Sequence, residues 1–267
     1  MKTYALITLE GPDAWDFGHR MFSRNIKTLL QNHGRLTLFL SAEGKVQCLF
    51  WTIKTSTGLS LIVERAEQQN LFDLIEKYHF AENFKTLLGQ QLGFTWKPTN
   101  SKAQGEGEKR GDRFTGSWRG TEFLFDLNQP SPSSAMDLNW QLHRIQNLIP
   151  QWGLDYDSSN LVFETGLEEL CDSNKGCYIG QEIVERVRSR GGQSPRRLSL
   201  FEWSEKAPSQ IQNIYGPQQD VLGSTTKTEP VQAGTSWWGL GFLKRGVEPT
   251  NQELKVSGIR GRCVRSI

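Results

Sequence analysis

The octapeptide KGCYIGQE, Lys175 to Glu182, sets a cysteine between two glycines just ahead of a run with helical spacing. Gly176 and Gly180 permit the sharp turns that carry Cys177 to a surface, and in the following GQEIVERVRS the apolar Ile183, Val184 and Val187 share one helical face. A thiol just ahead of a helix meets free N–H groups, and Lys175 and Arg186 are close in sequence. Each influence favours thiolate over thiol, the nucleophilic form. The competing expectation for a lone cysteine is a small apolar residue packed into a tight turn.

The other candidates carry weaker chemistry. The cysteines at 48, 171, 177 and 263 form no CxxC pair, and only four histidines accompany them, so no structural zinc site is expected. Cys171 follows the apolar Leu167 and Leu170, which predicts burial. Arg186, Arg188, Arg190, Arg196 and Arg197 cluster around Gly191-Gly192 and suit a polyglutamate tail, a phosphate group or RNA, although arginines at a helix C-terminus are favourable on dipole grounds alone. Trp237-Trp238 offers a flat stacking surface, but in a strand adjacent rings point to opposite faces. Thirty-one basic against twenty-nine acidic residues leave a net charge of +2, which argues against a dedicated nucleic-acid binder.

Lys175, Gly176, Cys177, Tyr178, Gly180, Gln181, Glu182 and Arg186 together resemble the K-G-C-Y-x-G-Q-E-x-x-x-R signature of the YgfZ family. Weaker echoes are GPDAWDF at Gly11 to Phe17, LSAEGKV at Leu40 to Val46, RIQNLIP at Arg144 to Pro150 and VFETGLEEL at Val162 to Leu170. The family comprises folate-binding proteins related to the glycine-cleavage T-protein and tied to iron–sulfur cluster maintenance. The resemblance implies an α+β fold built as a three-domain ring. Residues 1–45 and 105–190 would form a discontinuous folate-binding core, 46–104 an inserted ferredoxin-like module and 196–267 a C-terminal β-barrel. It also implies tetrahydrofolate or a derivative as ligand, with Asn25, Arg144, Gln146, Glu164, Lys175, Tyr178, Gln181, Glu182 and Arg186 as contacts and Cys177 as the functional thiol.

Departures from the T-protein pattern weaken the transferase reading. Its R-x-E-x-G glutamate, which grips the pterin through two acceptor oxygens, is Gln146 here, and an amide offers one acceptor and one donor. Leu148 replaces the glycine that follows. The carboxylate of a T-x-D-V element becomes Asn25. Aligned on Gly44, the G-G-I-I-D-D element that holds the main catalytic carboxylate reads GKVQCL, so both acids are missing. Aminomethyl transfer, which needs such an acid, is not expected. Glu164 falls in a segment resembling P-x-E-x-G-L, and it equally suits a first-turn helix acid.

The elements that must position these groups are legible by pattern. MKTYALITLE alternates as a strand and lacks a charged leader, which predicts a cytoplasmic protein without a membrane-spanning helix. Gly11-Pro12-Asp13 opens a short helix toward Phe22. Strands over 35–40, 45–53 and 59–63 form a meander, and a helix over 66–80 buries Leu71, Ile75 and Tyr78 with Glu67, Gln68 and Glu76 off that face. Residues 97–113 read as a loop, 121–127 as a strand and 129–134 as a proline and serine cluster. A helix with the stripe Leu138, Leu142, Ile145 and Ile149 ends at Pro150, and Arg144 projects from its edge. From Arg196 onward, runs at 198–203, 237–243 and 263–267 predict a small all-β domain.

The leading expectation is a cytoplasmic folate-binding accessory protein that supports iron–sulfur cluster assembly or repair and affects tRNA-modification enzymes, with iron–sulfur client or assembly proteins as partners. A folate-dependent one-carbon transferase and a non-catalytic module with a degenerate folate site are the alternatives.

Overall fold

The computed structural model describes residues 3–128, 138–247 and 253–267. Its chain divides into two compact units, one within residues 1–136 and 169–185, the other within 137–168 and 186–267. No helix among the described residues is long and apolar enough to cross a membrane.

The first unit is built on eight strands: β1 (Tyr4–Glu10), β2 (His33–Leu40), β3 (Val46–Lys54), β4 (Gly58–Glu64), β5 (Lys85–Pro98), β6 (Glu106–Arg110), β7 (Arg113–Trp118) and β8 (Thr121–Asp126). They close into a barrel in the order β1-β4-β3-β2-β6-β7-β8-β5. Closure depends on β5, which pairs with β1 from Lys85 to Leu92 and then with β8 from Gly93 to Pro98, so no edge is left unpaired. The segment expected as a loop over 97–113 is therefore largely sheet: β5 reaches Pro98, and β6 runs antiparallel to both β2 and β7. Charged residues hid β6, because its EGEKR sequence carries no apolar alternation. The barrel draws strands from both sides of residues 45 and 104.

Two helices cover this sheet, α1 (Ala14–Met21) and α2 (Gln68–Tyr78). They bury Ala14, Phe17, Leu71 and Ile75 against Leu9, Phe39, Phe50 and Leu61 in one core cluster. The expected Leu71 and Ile75 face is correct, but Glu67 and Gln68 are buried, not exposed. Gln68 earns its place through hydrogen bonds: its Nε2 donates to the carbonyls of Leu6 (2.8 Å) and Gly89 (3.0 Å), satisfying backbone groups at an irregularity between β1 and β5.

The second unit contains α3 (Leu138–Gln146) and seven strands, β9 (Arg196–Trp203), β10 (Asn213–Tyr215), β11 (Val221–Thr225), β12 (Val231–Ala233), β13 (Ser236–Lys244), β14 (Leu254–Val256) and β15 (Ile259–Ser266). The sheet order is β11-β10-β14-β15-β9-β13-β12, and β11 also pairs with β13, so six strands close on themselves with β12 beside them. Trp237 packs with Phe201, Trp203 and Ile214, whereas Trp238 joins Ile145, Leu198 and Phe242, so the doublet does split between two faces.

The burial of α3 differs from expectation. Leu138 is 71% exposed, and the covered residues are Trp140, Gln141, Arg144 and Ile145. An interior ion pair described below turns this face inward. The proline and serine cluster at 129–134 lies outside the described residues. A fourth helix, α4 (Gln181–Ser189), follows the octapeptide as its spacing predicts.

A cysteine held outward between buried anchors

The octapeptide is anchored in the first unit on either side of Cys177. Lys175 is 5% exposed, and its ammonium donates to the carbonyl oxygens of His19 (2.5 Å) and Phe22, at the C-terminus of α1. Those carbonyls carry the negative end of the helix dipole, so a cation is the fitting partner. The same ammonium sits 4.9 Å from the centroid of the buried Tyr178 ring. Ile179 packs against the core cluster that contains Phe22 and Phe39. Cys177 alone of the four cysteines is exposed.

Gly180 closes the loop by backbone contact. Its φ is +83°, and a Cβ there would lie 2.5 Å from the Ser41 carbonyl oxygen and 3.4 Å from Gly44 Cα. Gly44, at φ +74°, belongs to the turn joining β2 and β3, and a Cβ on it would lie 3.0 Å from Ile183 of α4. Two sequence segments that were separate echoes of one family are thus packed together. Gly176 has no such requirement, for its φ is not positive and its Cβ would meet only His19 Nε2, at 3.7 Å.

A polar network brings Asn25 to the same loop. Ser23 Oγ donates to the Leu170 carbonyl (2.7 Å), the Asp172 N–H donates to the Ser23 carbonyl (3.0 Å), and the Asn25 N–H donates to Asp172 Oδ2 (2.8 Å). Arg24, 7% exposed, clamps Asp172 (3.0 Å) and Glu106 (2.6 Å). Asn25 Oδ1 is buried and takes no hydrogen bond from the chain.

His19, Asn25, Lys27, Lys175, Cys177 and Gln181 line one open cavity of about 440 Å³. Burial, then the positive charges of Lys175 and Lys27, lower the His19 pKa below its ordinary value, against Asp16. Burial likewise pushes Lys175 down to about 8, opposed by Asp172 and Cys171. His19 and Lys27 were missed from the sequence, since a basic residue in the last turn of a short helix has an ordinary explanation and nothing local links it to Cys177. No group of three or more potential metal ligands occurs among the described residues.

The remaining expected contacts stand elsewhere. Glu182 is exposed on the first turn of α4. Arg144, Gln146, Glu164 and Arg186 belong to the second unit. Arg144 does not project from its helix: it is completely buried, with Nη1 2.7 Å from Asp155 Oδ2, Nη2 2.9 Å from Thr228 Oγ1 and Nε 2.7 Å from Gln141 Oε1. With four of its five N–H groups bonded inside the unit and no exposed surface, this guanidinium serves the interior and not a ligand. Glu164 is buried as well and accepts from Asn160 Nδ2 (2.9 Å) and Arg196 Nη2 (3.3 Å). Gln146 ends α3, half-buried, and its carbonyl accepts from Arg265. Arg186 is exposed. Within the arginine cluster, Arg196 pairs with Glu164 and Arg188 donates to the Glu168 carbonyl (3.2 Å), which are structural uses.

At the place of the T-protein acids the chain carries Cys48 and Leu49 in β3, with Gln47 just before them. Gln47 bonds to the carbonyls of Lys45 and Val46, and Cys48 is completely buried with its thiol pushed well up by burial and then by Glu67.

No protein-family model matches the chain. A protein named tRNA-modifying protein YgfZ, from Aliivibrio fischeri, is 23% identical over 78% of this chain and 72% of its own length. The chain is a homologue of YgfZ. A Neurospora crassa protein named mitochondrial iron-sulfur cluster assembly factor IBA57 homolog is 24% identical over 85% of this chain and 58% of its own. Among solved structures, the glycine cleavage system aminomethyltransferase T of Bartonella henselae superposes with a TM-score of 0.72 over 99% of this chain and 83% of that one, at 15% identity. That likeness establishes the T-protein fold.

Proposed function

We propose that this YgfZ homologue is a cytoplasmic folate-binding accessory protein that supports assembly or repair of iron–sulfur clusters, and through them tRNA-modification enzymes, with Cys177 as its working thiol. The observation that carries this reading is the exposed Cys177 thiol, held outward at a cavity by a loop anchored through Lys175, Ile179 and Gly180. A residue kept only for packing would point the other way, as Cys48 and Cys171 do. The relatives' names supply the biological setting, and iron–sulfur client or assembly proteins are the partners it implies.

The first unit's cavity fits a reduced folate in volume and in donor set. About 440 Å³ lies within the range of small-molecule sites. The orphaned Oδ1 of Asn25 suits an N–H of the pterin, and Gln181 offers both a donor and an acceptor. Lys175, Arg144 and Glu164, bonded within the protein, act as supports. Gln146 is kept as a separate candidate contact. The three-domain ring, with the module at 46–104 and the barrel at 196–267, belongs to this same reading. Aminomethyl transfer is not proposed, because the acid positions hold Cys48 and Leu49.

A host lacking the gene, supplied with wild type or Cys177→Ala, tests the reading. The variant should fold with unchanged thermal stability and fail to restore cluster-dependent enzyme activity. Full complementation by Cys177→Ala would overturn the working-thiol role. Purified protein should quench its tryptophan fluorescence on binding tetrahydrofolate and form no methylenetetrahydrofolate from an aminomethyl donor; turnover would favour the transferase, and neither binding nor complementation the non-catalytic module.

A further inference from the structure

The Cys177 cavity holds two titratable side chains that the family signature does not account for, His19 and Lys27, and of these the histidine can exchange a proton near neutral pH. His19 lies in the last turn of α1 and lines that cavity. Its two ring nitrogens have different surroundings. Nδ1 is buried and makes no hydrogen bond within the chain, while Nε2 faces the octapeptide, 3.7 Å from where a Cβ on Gly176, the residue preceding Cys177, would stand. The His19 carbonyl receives the Lys175 ammonium at 2.5 Å, so the end of α1 is tied to the cysteine loop two residues before Cys177.

From this geometry we infer that His19 is the general base that takes the Cys177 thiol proton as the sulfur attacks an electrophile. With an alkylating agent of the iodoacetamide type, the Cys177 Sγ–carbon bond forms, the carbon–iodine bond breaks and iodide leaves. The thiol proton passes to His19 Nε2. For this the imidazole must be neutral beforehand. Burial and the charges of Lys175, in the loop, and Lys27, after α1, hold it neutral at pH 7, with Asp16 of α1 opposing them. The inference rests on the reading of Cys177 as a working thiol, but its test measures proton transfer and not cluster assembly.

The experiment follows iodoacetamide alkylation of Cys177 in the full-length protein by peptide mass mapping between pH 5 and 9, in wild type and His19→Gln. Wild type should show a rise in rate centred below pH 6.5, the ordinary histidine value, that is absent from His19→Gln, and the variant should react about ten-fold more slowly at pH 7. An unchanged rate and pH profile in folded His19→Gln would overturn the inference. Should the variant not fold, the NMR titration of His19 in wild type and Cys177→Ser decides: a displaced midpoint supports the pairing, an identical one rejects it. A His19→Gln protein that loses the low-pH rise yet complements fully would leave this inference standing and count against the proposed function instead.

Discussion

The Lys175 ammonium donates to the His19 carbonyl oxygen at 2.5 Å, joining the residue two before the exposed cysteine to the end of the helix that carries the cavity's histidine. A residue read from the sequence as a cation beside the thiol is spent on helix carbonyls.

That burial has a pH signature. The folded-state pKa of Lys175 is lowered from 10.5 to about 8. Between those values the unfolded chain holds the proton and the folded chain does not, so stability from this group rises with pH across the window and is least below it. Urea unfolding of wild type and Lys175→Met, from pH 7.5 to 10.5, should show the difference moving in favour of wild type by up to about 3 kcal/mol. A difference moving the opposite way would mean that the carbonyls hold Lys175 charged.

The two glycines of the octapeptide should separate under mutation. Gly180→Ala places a Cβ 2.5 Å from the Ser41 carbonyl at φ +83°, and should cost about 1–3 kcal/mol in chemical denaturation. Gly176→Ala meets only ordinary contact and should stay within about 0.5 kcal/mol of wild type.

Under native conditions iodoacetamide should label Cys177 first. Cys48, wholly buried with its thiol pushed well up by burial and by Glu67, should react last, and only at a rate set by opening of the fold. Mass mapping over a time course orders the four thiols, and labelling of Cys48 before Cys177 would contradict the arrangement.

Arg144 and Asp155 form an interior ion pair, both side chains 0% exposed, with Thr226 Oγ1 and the Gln151 N–H also bonded to the carboxylate. Arg144→Met leaves that carboxylate buried without its cation and should cost about 3–5 kcal/mol. The double variant Arg144→Met with Asp155→Asn should recover part of the loss, as measured by a denaturation cycle.

Gln146→Glu tests the expectation that this position touches the pterin. A charged hydrogen bond of about 1.5–3 kcal/mol corresponds to roughly ten-fold to a hundred-fold tighter tetrahydrofolate binding by fluorescence titration. No gain would remove Gln146 from the candidate contacts.

The strands β1, β2, β3, β4, β8, β9, β13 and β15 and the helices α2 and α4 were legible because their apolar residues repeat at the period of the element, and α1 because Gly11-Pro12-Asp13 marks its start. β6 was not, since a charged strand in a closed barrel takes its place from hydrogen bonding to β2 and β7 and leaves no periodic trace. The inward face of α3 was misread because Arg144 looks like a surface residue until Asp155, eleven positions on, is folded against it.

By itself the sequence determined the local chemistry: a cysteine in a glycine-bounded loop before a helix, a family signature, and the absence of the T-protein acids. Only the tertiary structure decided which neighbours that cysteine has. Lys175, two residues away, turns inward because its charge is satisfied by the carbonyl end of α1, and His19, from a distant helix, comes to line the cavity. Proximity along the chain fixes what a loop can do conformationally, while desolvation and long-range hydrogen bonding choose the side chains that share its surface.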